Sequence, residues 1–158
     1  MPHTCPIGAE RPLTAGEVAM VRGIFGSAID TAPVRIRRKR WFPFQTRNTT
    51  MAPCGHLHFA PGSDSYCDDF SQADPHLQGH FIHEMTHVWQ TQRHGRFYLI
   101  WRRHPFCRYS YCLKPGWSLE QYGLEQQAEI VRHAFMLRKG WKIAGVSDKK
   151  AYEVLVDF

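Results

Sequence analysis

No run of eighteen apolar residues occurs in the 158-residue chain, so no helix is expected to cross a membrane. Met1 to Leu13 is rich in proline and interrupted by His3 and Glu10, and it lacks the apolar stretch of a secretory leader. The expected location is the cytoplasm, or export by a route that uses no cleavable signal. No Cys-x-x-Cys is present. The five cysteines (Cys5, Cys54, Cys67, Cys107 and Cys112) are odd in number and share no repeated close spacing. They imply no disulfide framework, and reduced thiols are expected, with a Cys107–Cys112 pair left open by nearness alone. Internal repeats and low-complexity runs are absent, so one ordinary domain is expected, from 13 to 158, behind an irregular lead-in of residues 1–12.

What the chain does have is apolar content and positive charge. Hydrophobic residues make up 43% and aromatic residues 13%, enough for a folded core at this length. Net charge is +6 and the pI about 9.2, and the excess is local. Arg35, Arg37, Arg38, Lys39 and Arg40 form one cluster. Arg93, Arg96, Arg102, Arg103 and Arg108 form another, interleaved with Phe97, Tyr98, Trp101, Phe106 and Tyr111. Such mixing suits nucleic acid, through phosphate contact and stacking, or another anionic surface. It equally suits a solvated face on which arginine stems cover half-buried rings.

The most specific signal is His83-Glu84-Met85-Thr86-His87-Val88-Trp89-Gln90. On a helix, residues four apart share a face, so the two imidazoles can bind one Zn²⁺ at about 2.0–2.1 Å each. Glu84 lies between them, placed to reach water beside the metal as a general base. Ten histidines raise the background for an accidental match, so the surroundings decide. Asp74-Pro75 is an N-cap followed by a first-turn proline, and Gly95 is a stop after Arg93 and His94. Leu77, Phe81, Ile82, Met85, Val88 and Trp89 recur at helical spacing between them. Gly79 costs about 1 kcal/mol of helix propensity, so a close neighbour is expected there.

A second helical pattern runs from Leu124 through Ala128, Val131 and Phe135 to Arg138-Lys139-Gly140. It starts at Ser118 or just after Gly123, and the glycine favours the later start. Glu125 and Glu129 stand one turn apart on it. Glu125 is the candidate third ligand and Glu129 the acceptor for a ligand imidazole's free N–H. The alternative is a pair of solvated carboxylates, Glu129 pairing with Arg132 or His133.

Elsewhere, Thr14 and Glu17 read as a capping box opening a short helix that ends near Gly26. Val34 and Ile36 have strand spacing. Residues 37–50 read as a long loop or irregular hairpin. In Cys54 to Phe59, Leu57 and Phe59 share one face of a strand, with Cys54, His56 and His58 on the other; the polar face is expected to border a cleft. Residues 95–117 read as an irregular layer over the site, and Ser147 as the cap of a final helix, 148–156.

The motif stretch, with Tyr122-Gly123-Leu124-Glu125-Gln126-Gln127-Ala128-Glu129-Ile130-Val131, resembles small gluzincin-like metallopeptidase domains of bacteria, notably the Vgr- and Rhs-related zincin-like proteins. Leu13 to Glu17, Ile24-Phe25-Gly26, Asp30-Thr31 and Gly55 to Phe59 look similar too, so the likeness covers most of residues 13–139. It implies an α+β zincin-like fold: a small mixed sheet whose edge strand borders the cleft, an active-site helix, and a second long helix. It implies Zn²⁺ held by His83, His87 and Glu125, with Glu84 as base and Glu129 behind a ligand. Tyr122, His133 and Tyr98 are the candidates for oxyanion or substrate contacts. The expected function is a zinc-dependent peptidase acting on a peptide or protein. The alternative is a catalytically weak or inactive binding module on the same scaffold. That module would be secretion-associated or effector-like, engaging a protein partner, the secretion apparatus or an anionic surface.

Overall fold

A computed structural model describes residues 4–103 and 106–158. The architecture is α+β, with a small mixed sheet and five helices among the described residues. Strands β1 (Glu10–Pro12), β2 (Arg35–Arg37) and β3 (Leu57–His58) lie in that order. β1 runs antiparallel to β2, pairing Arg11 with Ile36. β3 runs parallel to β2, pairing Ile36 with Leu57. The segment before residue 13, expected to be irregular, thus supplies a strand, and its Cys5 is buried.

Helix α1 (Ala15–Phe25) begins with the expected capping box: Glu17 N donates to Thr14 Oγ1, and Thr14 N donates to Glu17 Oε2. Glu17 also takes both terminal nitrogens of Arg11 at 2.8 Å and the Phe70 N–H at 2.9 Å. One buried carboxylate therefore ties β1, α1 and the turn before α2 together.

α2 (Pro75–His94) is the central rod. Asp74 caps it by accepting from the His76 and Leu77 N–H groups, and Gly95 ends it at φ 103°, where a side chain would be strained. Every residue from Phe81 to Thr91 is buried, polar ones included. A rod buried all round must pair its own polar side chains, which constrains the site. Phe81 stacks on Phe70 (centroids 4.9 Å apart), and Phe70 on Phe59 (5.6 Å), linking α2 to the sheet.

α4 (Leu124–Arg138) packs along α2. Gly79 shows how closely: a Cβ there would stand 3.1 Å from both Arg132 Nε and Met136 Sδ. Before α4, Leu119–Gln121 forms a single 3-10 turn, so the two expected helix starts are two separate elements. α3 (Tyr98–Arg102) is one helical turn inside the otherwise irregular stretch after α2. α5 (Lys149–Leu155) is capped by Asp148, whose carboxylate accepts from Ala151 N–H, rather than by Ser147. All five cysteines are free thiols.

The strand around residues 54–59 differs from expectation. Only Leu57 and His58 are paired, and His58 turns inward, 4% exposed. Its outer side is closed by Met51, which exchanges two hydrogen bonds with His58. His56 Nδ1 accepts from the Arg35 N–H. The rim of the cleft is therefore Asn48 to Thr50, one segment further out than Cys54–Phe59.

Candidate metal centre

Helical spacing sets the first two donors. His83 and His87 stand one turn apart on α2 with rings 5.1 Å between centroids. α4 brings Glu125 against both: its Oε2 lies 3.2 Å from His83 Nε2 and 3.1 Å from His87 Nε2. The three donor atoms lie within 4.8 Å of one another, and all three residues are buried. This group could hold a metal ion.

The opposite ring nitrogens explain why both Nε2 atoms face inward. His83 Nδ1 lies 2.7 Å from Glu129 Oε1, and His87 Nδ1 lies 2.8 Å from Gln90 Oε1. Both partners are acceptors, so each Nδ1 carries the proton and donates, which leaves each Nε2 free to present a lone pair. Gln90 is itself held: its Nε2 donates to Leu124 O (3.1 Å) and to Gln127 Oε1 (2.9 Å), and Gln127 Nε2 donates to Tyr122 O. The chain from His87 to the start of α4 is thus continuous. The carboxylate that accepts from His83 is also approached by Arg132 (3.4 Å) and His133 (3.7 Å).

Burial and hydrogen bonding act in opposite senses on His83, Glu125 and Glu129. Burial opposes charge on His83, but hydrogen bonds to Glu125 and Glu129 outweigh it and raise its pKa to about 9. Burial acts on Glu125 in the opposite sense, yet its hydrogen bonds to the two histidines and the nearby Arg103 charge hold it far below the usual carboxylate range. Glu129 is also lowered; burial opposes the shift and the hydrogen bond to His83 drives it. The centre holds negative oxygen against positive nitrogen, an arrangement a cation can replace by displacing protons.

Glu84 stands outside the donor triad. It is 6% exposed, lines a cleft of about 420 Å³, and its Oε1 lies 4.0 Å from His80 Nε2. His80 in turn shares a hydrogen bond of 2.8 Å with Thr50 Oγ1. Two residues that the sequence did not assign to the site complete the cleft. Arg103 Nε lies 3.4 Å from Glu125 Oε1 and its side chain hydrogen-bonds Tyr109; the Tyr109 ring lies nearly parallel to His83, 6.1 Å between centroids. Both come from the aperiodic layer, where sequence offers no pattern to follow. Gln90 did carry a signal: it is a polar residue three positions after His87, on a helix face that must be buried.

The three expected oxyanion candidates are not among the residues lining the cleft that contains Glu84. The Tyr122 hydroxyl accepts from the Lys114 N–H. His133 Nδ1 is hydrogen-bonded to the Tyr111 hydroxyl, which also meets Tyr152 OH at 2.6 Å. Tyr98 stacks on His94. Tyr98 and Tyr122 share with Glu125 a neighbouring hollow of about 640 Å³, but neither lines the cleft that contains Glu84. A larger hollow, about 930 Å³, lies between α5 and residues 113–120 and includes none of the donors.

No protein-family model matches the chain. It is similar to the type VI secretion system spike protein VgrG2b of Pseudomonas aeruginosa, 37% identical over 150 residues, which are 90% of this chain and 14% of that protein. The chain therefore spans a small part of that relative's length. It is also similar to the solved effector domain of Pseudomonas aeruginosa VgrG2b, at 32% identity and a TM-score of 0.73, covering 98% of this chain and 88% of that one.

Proposed function

Because the chain belongs to the family of the VgrG2b effector domain, we propose that it is a secretion-associated effector module whose activity is zinc-dependent peptide-bond hydrolysis on a zincin-like fold. The observation that carries the reading is the convergence of His83 Nε2, His87 Nε2 and Glu125 Oε2, with both imidazoles turned by acceptors on their far nitrogens. The donor set fits zinc. Nitrogen and carboxylate ligands suit it, and donors around a tetrahedral Zn²⁺ stand about 3.3 Å apart, close to the two separations found.

Zn²⁺ at these residues would supply Lewis acidity and bring the pKa of water toward about 7. The remaining work falls to the protein. Glu84, at the wall of the cleft, would take a proton from attacking water and return it to the leaving amine. Arg103 and Tyr109 offer a cationic and a hydroxyl donor beside the centre, where negative charge on a carbonyl oxygen would develop. Asn48 to Thr50 form the rim along which an extended peptide would lie.

The test is Glu84→Gln. Zinc should remain near one equivalent while cleavage of a peptide library falls by about 1,000-fold or more. Cleavage by the variant at the wild-type rate would remove Glu84 from the reaction. No cleavage by zinc-loaded wild type would favour the second reading, an inert binding module. The observation on that side is Arg103: its guanidinium leans on Glu125 and its partner Tyr109 lies over His83, crowding the approach.

A further inference from the structure

Residues 85–119 contain five arginines, one lysine and no aspartate or glutamate. This stretch carries the whole net charge of +6, and the rest of the chain is balanced. Two of its cations are committed: Arg93 pairs with Glu120, and Arg103 with Glu125. Among the described residues, Arg96, Arg102 and Arg108 make no ion pair with an acidic side chain.

The same stretch exposes large apolar side chains around α3. Trp101 is 85% exposed, Phe106 82% and Phe97 56%, with Ile100 beside them. Only Leu99 of the helical turn is buried. Exposed Trp, Phe and Ile in one short stretch, beside arginines without a carboxylate partner, are costly in water and rarely gathered unless something covers them.

The ring contacts choose between coverings. The Arg96 guanidinium lies over Phe97 (5.7 Å), and Arg102 lies over Tyr98 (5.6 Å). His94 stacks on Tyr98 at 4.3 Å. Rings already faced by the protein's own side chains are poor platforms for nucleic-acid bases. Trp101 and Ile100 project instead, and an aliphatic side chain adds nothing to base stacking but does add to entry into the bilayer interface.

We propose that α3 and its flanks dock the protein on an anionic phospholipid bilayer. Trp101, Ile100 and Phe97 enter the interfacial layer, while Arg96, Arg102 and Arg108 meet headgroup phosphates. The same stretch supplies Arg103 and Tyr109 to the cleft, so docking would set the metal centre beside the lipid surface. No cleavage step is involved, so the inference stands or falls apart from the peptidase reading.

The experiment is co-sedimentation of the whole chain with phosphatidylcholine vesicles, with and without roughly a third phosphatidylglycerol. Partitioning should be about tenfold stronger on the anionic vesicles and weaken with salt. Arg102→Ala should lower it about fivefold on those vesicles. Ile100→Ser with Trp101→Ser should lower it about tenfold and abolish quenching of tryptophan fluorescence by brominated lipid. Arg22→Ala, outside the patch, should change it less than twofold. Equal partitioning onto both vesicles, or unchanged partitioning of the Ile100/Trp101 variant with its circular dichroism intact, would overturn the proposal. So would tighter binding to a single-stranded oligonucleotide that is indifferent to Ile100→Ser.

Discussion

Glu17 and Glu125 are both fully buried, both lie in the first turn of a helix, and both face cationic partners, yet they do different work. Glu17 is saturated by donors that never lose their protons: two guanidinium nitrogens and two backbone N–H groups. Glu125 is met by two imidazoles and, more distantly, by Arg103. Imidazoles can release protons and turn the same nitrogens into ligands. A buried carboxylate among permanent donors is a rivet, and one among titratable donors belongs to a group that could hold a metal ion.

The largest expected effect is on the rivet. Glu17→Ala should destabilise the fold by about 3–5 kcal/mol, because it strands the Arg11 guanidinium and frees two backbone N–H groups. Denaturant unfolding reads this directly, and zinc stoichiometry of the folded fraction should stay at one equivalent. If Glu17→Ala lost metal while keeping stability, the contrast would collapse. Glu125→Ala should do the reverse. Zinc affinity should fall on the order of 100-fold or more, with a smaller change in stability. A variant that still holds one equivalent at wild-type affinity would remove Glu125 from the ligand set.

The comparison sharpens with a histidine that has no carboxylate. His83 faces two of them and its pKa is raised to about 9. His58 is equally buried, but burial, and after it the charges of Arg37 and His56, disfavour its protonated form, and the pKa falls to about 4. Its Nδ1 has no partner. A folded pKa below the unfolded one, about 6.5, means that the unfolded chain binds more protons between those values. Stability from this group is therefore complete above about pH 6.5 and is lost as pH falls toward 4, amounting to about 3 kcal/mol. His58→Phe should flatten that part of the pH–stability curve relative to wild type. Parallel curves would mean that His58 titrates normally.

What the sequence disclosed follows from the range of each interaction. Asp74, Pro75 and Gly95 act on their own neighbours, and they bound α2 where expected. The meeting of His83, His87, Glu125 and Glu129 also follows from local spacing, once two helices are placed side by side. Strands of two or three residues are too short to show alternation, so His58 read as a cleft residue although it points inward. Met51 covers the β3 edge through backbone hydrogen bonds, which leave no mark on side-chain pattern. Arg103 and Tyr109 reach the cleft along an aperiodic chain, and nothing local marks where such a chain folds back.

The smallest effect tests how far the contrast extends behind the ligands. Glu129 differs from both buried glutamates: it touches one imidazole with one oxygen and is shared with Arg132 and His133. Glu129→Gln keeps an acceptor for the His83 Nδ1–H and removes only the charge, whereas Glu129→Ala removes both. If orientation is the main contribution, Gln should lower zinc affinity by less than about tenfold and Ala by about 10–100-fold. If charge dominates, the two should be equal, because the imidazole would gain basicity from the carboxylate rather than direction. Zinc competition titrations of the two variants at one pH separate these outcomes. Equality would move Glu129 from the class of positioning acceptors, where Gln90 belongs, to the class of charged partners that Glu125 represents.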